Sequence, residues 1–275
     1  MDIQGHRGAR GLFPENTLEG FLAAERLGLT AFELDVGLTA DRIPVVTHDL
    51  ALNPDIARDA SGAWLSETGP LICSLTCSEL SRYDVGRLRP GSRTAALFPD
   101  QRPLDGARIP TLAAVLAALP TSRFTVEIKT HPSHPDWTAS PAELADAALR
   151  IMDAAGDIER FVMTAFDWRV LRHVRRSRPD VRLAWLTRPQ TVIDALLWWD
   201  GVEIASSVPA AVAAEGGPIW APEHTTLHAA DIAEAHALGL LVLPWTVNQP
   251  SDMKRLMDWG ADGLTSDRPD LVLTA

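Results

Sequence analysis

The chain has 275 residues, 46 % of them apolar and 22 % charged, with a formal net charge of −11. That is material for the full core of an ordinary globular protein. The negative balance argues against a nucleic-acid or anionic-membrane surface, though not against a small anionic substrate whose field a cation and a few basic residues reverse locally. Cys73 and Cys77 have no second pair or histidine cluster to make a zinc site, and read as free thiols of a reduced compartment. The N-terminus lacks a basic patch followed by an apolar stretch, and no apolar run is long enough to span a bilayer, so a cytoplasmic chain without stable membrane insertion is expected.

In chain order, a very short strand, Ile3-Gln4-Gly5, ends at His6. Leu18, Phe21, Leu22 and Glu25 fall at helical spacing between Asn16 and Leu27, with Thr17 or Asn16 as N-cap. Ala31–Val36 and Ile43–Thr47 read as strands about a tight turn, Thr39-Ala40-Asp41-Arg42. A hairpin centred on Ala40-Asp41 sets Glu33 opposite His48. From about residue 50 to 108 the rhythm breaks. This stretch, rich in Gly, Pro, Arg and Asp, carries one short helical piece near 78–83 and reads as an insertion folded as a small cap near the barrel mouth. Beyond it, strands are expected at Phe124–Ile128, Phe161–Thr164, Val181–Leu186, Ile219–Ala221, Leu240–Pro244 and Gly263–Thr265. Helical patterns cover Leu112–Leu119, Ala142–Ala155, Trp168–Arg176, Thr191–Trp199, Ala229–Ala237 and Ser251–Trp259. The alternation means a parallel sheet, and roughly eight repeats predict a closed (β/α)8 barrel rather than an open doubly wound sheet. The expected organisation is a single domain over residues 1–275 with one insertion at about 50–108.

Chemistry in such a barrel sits at the carboxyl ends of its strands. His6 ends the first strand, Glu33 and Asp35 the second, Glu127 and Lys129 the run from 124 to 129, and Trp245 follows Leu241–Pro244. Two imidazoles suit a reaction needing a base on one side and an acid on the other. Glu33 and Asp35, two apart on a strand, share a face and offer oxygen ligands to a hard cation. The bland alternative for that pair is a solvated strand face, and for Glu127 a buried ion pair with Lys129. A carboxylate among Phe124, Val126 and Ile128 is costly to bury for decoration, which favours a third ligand. Arg7 presents a fork that matches phosphate oxygens, with Gly8 and Gly11 allowing close backbone approach. Glu15-Asn16-Thr17 opens a helix whose N-terminus favours an anion, plain capping being the other reading of Asn16. His131, His134, His224 and His228 read as solvated loop histidines, and Trp198-Trp199 as core or interface filling. No nucleophile elbow, Walker loop or dinucleotide fingerprint occurs.

An ordered set of motifs runs through the chain: His6-Arg7-Gly8, Pro14-Glu15-Asn16-Thr17, Glu33-Leu34-Asp35-Val36, Val45-Val46-Thr47-His48-Asp49, Ile109-Pro110-Thr111-Leu112, Glu127-Ile128-Lys129, Trp245-Thr246-Val247-Asn248 and Gly260-Ala261-Asp262-Gly263. In this order they resemble the glycerophosphodiester phosphodiesterase family over nearly the whole chain. The resemblance implies His6 and His48 as the catalytic pair and Glu33, Asp35 and Glu127 as ligands for Mg²⁺ or Ca²⁺. It also implies Arg7 and Lys129 at the phosphate; Trp245 is expected to wall the pocket against the glycerol carbons and Asn16 to bind substrate. Three departures stand out: Asp41-Arg42 where the family has Asp-Gly, Thr164-Ala165-Phe166 where Ser-Phe is common, and Leu264-Thr265-Ser266-Asp267 in place of an Ile-Thr-Asp ending. The implied partner is a small phosphodiester. Alternatives are a lysophospholipid or other lipid diester, with Leu65, Leu71, Ile72, Leu88 and Leu97 candidates to hold an acyl chain, and a non-catalytic module binding glycerophosphate.

Overall fold

Thr17, Thr111, Ser140 and Ser207 each accept a backbone N–H of the first turn of the helix they precede; Pro141 opens the helix that Ser140 caps, and Pro189 and Pro250 open two others. These caps set where each helix leaves its strand. The computed structural model describes residues 2–273 apart from 203 and 205. Its strands are β1 (Asp2–Gly5), β2 (Ala31–Leu38), β3 (Pro44–Val46), β4 (Arg123–Ile128), β5 (Phe161–Ala165), β6 (Arg182–Thr187), β7 (Ile219–Pro222), β8 (Leu241–Val242) and β9 (Gly263–Ser266).

Eight of them run parallel in the order β8-β7-β6-β5-β4-β2-β1-β9, with β3 paired to β2 off this path. The two ends of that order meet. Asp262 N–H donates to Val242 O (3.0 Å), Thr265 N–H to Pro244 O (3.0 Å) and Val247 N–H to Thr265 O (2.9 Å). The result is the expected (β/α)8 barrel. Alternation along each strand sorts the side chains. Phe32, Leu34, Val36, Phe124, Val126 and Ile128 join the main core between strands and helices, while the residues between them, Glu33, Asp35 and Glu127, take the opposite, interior face. On the far side of the barrel interior Ala184, Leu186, Ile219 and Ala221 form a separate apolar layer with Leu243 and Trp245 against it.

The β2/β3 hairpin departs from the expected register. Val36 pairs with Val46, Gly37 with Val45 and Leu38 with Pro44, and Thr47 N–H donates to Asp35 O at 2.9 Å. This is one residue away from a pairing of Glu33 with His48. The turn contains one residue more than a two-residue loop: Thr39 and Ile43 close it, and Arg42 sits left-handed at φ 65°. β3 therefore ends at Val46, and His48 reaches the barrel mouth from a loop.

Residues 50–108 carry two short helices, Cys77–Leu80 and Arg93–Leu97, and a small core of Leu52, Ala57, Ile72, Leu80 and Val85 with Val45. The pattern over 191–199 breaks at Asp194 into Pro189–Ile193 and Ala195–Trp198. A further helix, Val208–Ala214, precedes β7; its Ala-rich sequence lacks the long apolar residues that make periodicity visible. Among the described residues no helix is long and apolar enough to cross a membrane.

Candidate active site

At the end of β1 the chain makes one tight turn, His6–Gly8, with Arg7 left-handed at φ 53°. Gly5 is required there, since a Cβ on it would lie 2.1 Å from Gly8 O. The turn points the Arg7 N–H at Glu33 Oε2 (3.0 Å) and brings the guanidinium to Glu15 Oε1 (2.8 Å) and Asp35 Oδ2 (3.3 Å). Parallel register sets Asp35 beside Glu127. One oxygen from each of Glu33, Asp35 and Glu127, all buried, lies within 4.8 Å of the others. Lys129 Nζ donates to Glu127 Oε1 at 2.6 Å and stands 3.4 Å from Asp35 Oδ1.

Burial, then the charges of Asp35 and Glu127, push the Glu33 carboxyl well above its ordinary pKa. Burial and Asp35 raise Glu127 against the pull of Lys129. Burial would raise Asp35 too, but Arg7 and Lys129 outweigh it and hold that group fully ionised. Lys129 is raised, Glu127 and Asp35 overcoming the cost of burying its charge. Glu33 Oε1 and Asp35 Oδ1 are buried and make no hydrogen bond. Crowded carboxylates with orphaned oxygens and an oxygen-only donor set fit a hard divalent cation.

Each histidine has one nitrogen committed. His6 Nδ1 lies 2.6 Å from Asp267 Oδ1, and His48 Nδ1 lies 2.7 Å from Asp49 Oδ1. Asp267 is held below the ordinary carboxylate range, burial being outweighed by His6 and Arg10, and Asp49 is pulled down to about 2 against burial, chiefly by His48. An ionised carboxylate only accepts, so each Nδ1 carries the proton and each Nε2 presents its lone pair. Burial lowers both imidazole pKa values, reinforced at His48 by Arg7 and Lys129 and opposed at His6 by Asp267. Asp267 lies 261 residues from His6, and nothing in its own motif, Leu264-Thr265-Ser266-Asp267, marks it as the partner of that imidazole. Arg10 Nε (2.6 Å) and Asn248 Nδ2 (2.7 Å) bind the same carboxylate.

His6, Arg7, Glu33, His48, Glu127 and Lys129 line one cavity of about 460 Å³, walled opposite by Phe166, Trp198 and Trp245. Trp245 is fixed by its indole N–H on Ala221 O (2.9 Å). Asn16 does not line this cavity; it is buried behind Asp35 and donates to Oδ2 at 2.8 Å. His131 differs from the solvated reading: it lines the cavity with its Nδ1 buried and unpartnered. Trp199 fills core, stacked on Trp168 at 4.1 Å, whereas Trp198 faces the cavity.

Residues 6–271 match the glycerophosphoryl diester phosphodiesterase family. The chain belongs to that family. Glycerophosphodiester phosphodiesterases are phosphoric diester hydrolases, and the chain is an enzyme of that class. A solved Silicibacter pomeroyi structure, assigned as a glycerophosphoryl diester phosphodiesterase, is 36 % identical with a TM-score of 0.91, covering 98 % of this chain and 91 % of that one. A Bacillus subtilis glycerophosphodiester phosphodiesterase is 26 % identical over 97 % of this chain and 83 % of its own length. An Oleispira antarctica phosphodiesterase, solved with the product sn-glycerol-3-phosphate, shares the fold at a TM-score of 0.76 and 20 % identity, covering 100 % of this chain and 96 % of that one.

Proposed function

We propose that this member of the family hydrolyses glycerophosphodiesters to an alcohol and glycerol 3-phosphate by acid–base catalysis between His6 and His48, dependent on a divalent cation. One observation carries the reading: two histidines, each with Nδ1 pinned by a carboxylate, open onto the cavity that Glu33 and Glu127 line, with Asp35 buried beside them in the same carboxylate cluster. Those three carboxylates would hold Mg²⁺ or Ca²⁺, which when bound supplies positive charge against the phosphoryl oxygens. Arg7 and Lys129 hold the same oxygens from the protein side and stabilise the charge that develops on them. One imidazole Nε2 takes the proton of the nucleophile, either water or the neighbouring glycerol hydroxyl. The other imidazole, protonated, gives its proton to the oxygen of the departing alcohol. Trp245 covers the glycerol carbons, and Asn16 acts through Asp35. The chain is taken as a single domain, with residues 50–108 an insertion resting on its own small core.

The deciding experiment follows glycerophosphocholine and glycerophosphoethanolamine by phosphorus NMR with Mg²⁺, Ca²⁺ or EDTA. Release of glycerol 3-phosphate that stops in EDTA and returns with metal is expected, and a transient cyclic phosphate would identify the hydroxyl route. Full activity in metal-stripped protein overturns the cation requirement.

One feature favours a lipid diester as a second reading. Ile193, Leu196 and Leu197 are 81 %, 66 % and 43 % exposed on the two short helices that lead to cavity-lining Trp198. The insertion itself does not supply an acyl site: none of Leu65, Leu71, Ile72, Leu88 and Leu97 lines the cavity.

A further inference from the structure

The cavity has two ends of different chemistry. At the histidine end every cation has an acid beside it: Arg7 pairs with Glu15 at 2.8 Å, Arg10 with Asp267 at 2.6 Å and Lys129 with Glu127 at 2.6 Å. The opposite wall is built from Phe166, Leu186, Trp198, Ala221 and Leu243. Among the described residues that wall carries one permanently charged side chain, Arg188, from the loop that follows β6.

Arg188 is held in place, and no acid among the described residues neutralises it. Its guanidinium carbon lies 4.8 Å from the centroid of the Phe166 ring. Its Nε is buried without a hydrogen-bond partner, and no ion pair to it occurs among the described residues. Beside it His131, packed on Trp198 at 5.1 Å, also has a buried and unpartnered Nδ1. The His131 pKa is lowered by burial and then by His134 and Arg188, whose positive charge Asp167 only partly offsets. A charged donor buried without a partner is costly, and a ligand that supplies the acceptor gains that contact. A guanidinium fork matches a carboxylate or a phosphate.

The scissile phosphate already has Arg7 and Lys129, and the glycerol half of the substrate carries only hydroxyls. A second anion can therefore come only from the other alcohol. A cationic head group is disfavoured at this end, because Arg188 covers the Phe166 face and repels like charge. Resting on the phosphodiesterase reading above, we propose that Arg188 is a specificity residue binding a second anionic group, a carboxylate or phosphomonoester, on the alcohol that leaves.

The test compares wild type, Arg188→Gln and Arg188→Lys on four diesters in added Mg²⁺. Glycerophosphoserine carries a carboxylate and glycerophosphoinositol 4-phosphate a phosphomonoester; glycerophosphoethanolamine and glycerophosphocholine carry no second anion. Wild type is expected to favour the anionic pair. Arg188→Gln should lose about 10- to 100-fold in kcat/KM on that pair, the loss of one charge-assisted contact, and less than about threefold on the other two. Arg188→Lys, which keeps the charge without the fork, should fall between. The larger loss within the anionic pair identifies carboxylate or phosphate as the recognised group. Equal losses on all four substrates, or no loss, overturn the proposal. Calorimetric binding of the same diesters to His48→Ala and His48→Ala/Arg188→Gln proteins separates the two readings. If wild type turns over none of them, the catalytic reading falls, yet anion-selective weakening by Arg188→Gln still supports the subsite and its absence still overturns it.

Discussion

His6 and His48 each offer one nitrogen to the cavity because the other is committed to a carboxylate, at 2.6 Å from Asp267 and 2.7 Å from Asp49. Replacing either histidine by alanine is expected to lower kcat by about 10²- to 10⁴-fold while the thermal midpoint stays within a few degrees, read by turnover and melting. Near-normal turnover would remove that residue from the proton-transfer pair. Asp267→Asn tests the pinning separately. An amide in place of the acceptor no longer fixes the Nδ1–H tautomer, and kcat should fall by about 10²-fold or more with little change in fold. The same carboxylate makes a stability prediction. Its native pKa is depressed below the ordinary 3.8, burial being outweighed by His6 and Arg10. A depressed carboxylate gives stability that is full above its unfolded pKa and is lost as pH falls through the native one. The melting advantage of wild type over Asp267→Asn should therefore hold from neutrality to about pH 4 and shrink below it; an advantage independent of pH would contradict the assignment.

At the scale of elements, the β2/β3 hairpin determines how His48 meets the barrel. Its turn holds Arg42 left-handed, at φ 65°, where a residue without Cβ would be unstrained. The Arg42 guanidinium reaches Glu143, but both side chains are largely exposed and such pairs add little. Arg42→Gly is thus expected to stabilise the fold by about 0.5–1 kcal/mol, the relief of strain exceeding the entropy that glycine adds to the unfolded chain. That corresponds to a rise of about 2 °C in Tm. A fall in Tm would mean that the Glu143 contact outweighs the strain. The same turn shows why the pairing of Glu33 with His48 could not be read from the sequence. Alternation fixes which face a residue takes, but register depends on how many residues the turn consumes. Arg42 at a position usually given to glycine hides that count.

For the molecule as a whole, the barrel brings carboxylates from β2 and β4 to within 4.8 Å, with Glu33 Oε1 and Asp35 Oδ1 unbonded. A cation bound only by the native state stabilises it by about 2.7 kcal/mol at a hundred times its Kd. Mg²⁺ or Ca²⁺ should then raise Tm by about 5 °C or more, and EDTA should reverse the rise. Glu33→Gln or Glu127→Gln should abolish it, and an unchanged rise in both variants would place the metal elsewhere. The sequence by itself determined the barrel, the shared strand face of Glu33 and Asp35, the strand ends at His6 and Glu127, and the family, because periodicity and short motifs are local properties of the chain; that β2 runs on past Asp35 to Leu38 was not legible in it. Tertiary structure alone decided that Asp267 orients His6 from the far end of the chain, and that Asn16 supports Asp35 instead of facing the cavity. It alone also left Arg188 without an acid beside it among the described residues. Those are contacts between distant segments, and their geometry exists only once barrel closure has fixed where each segment lies.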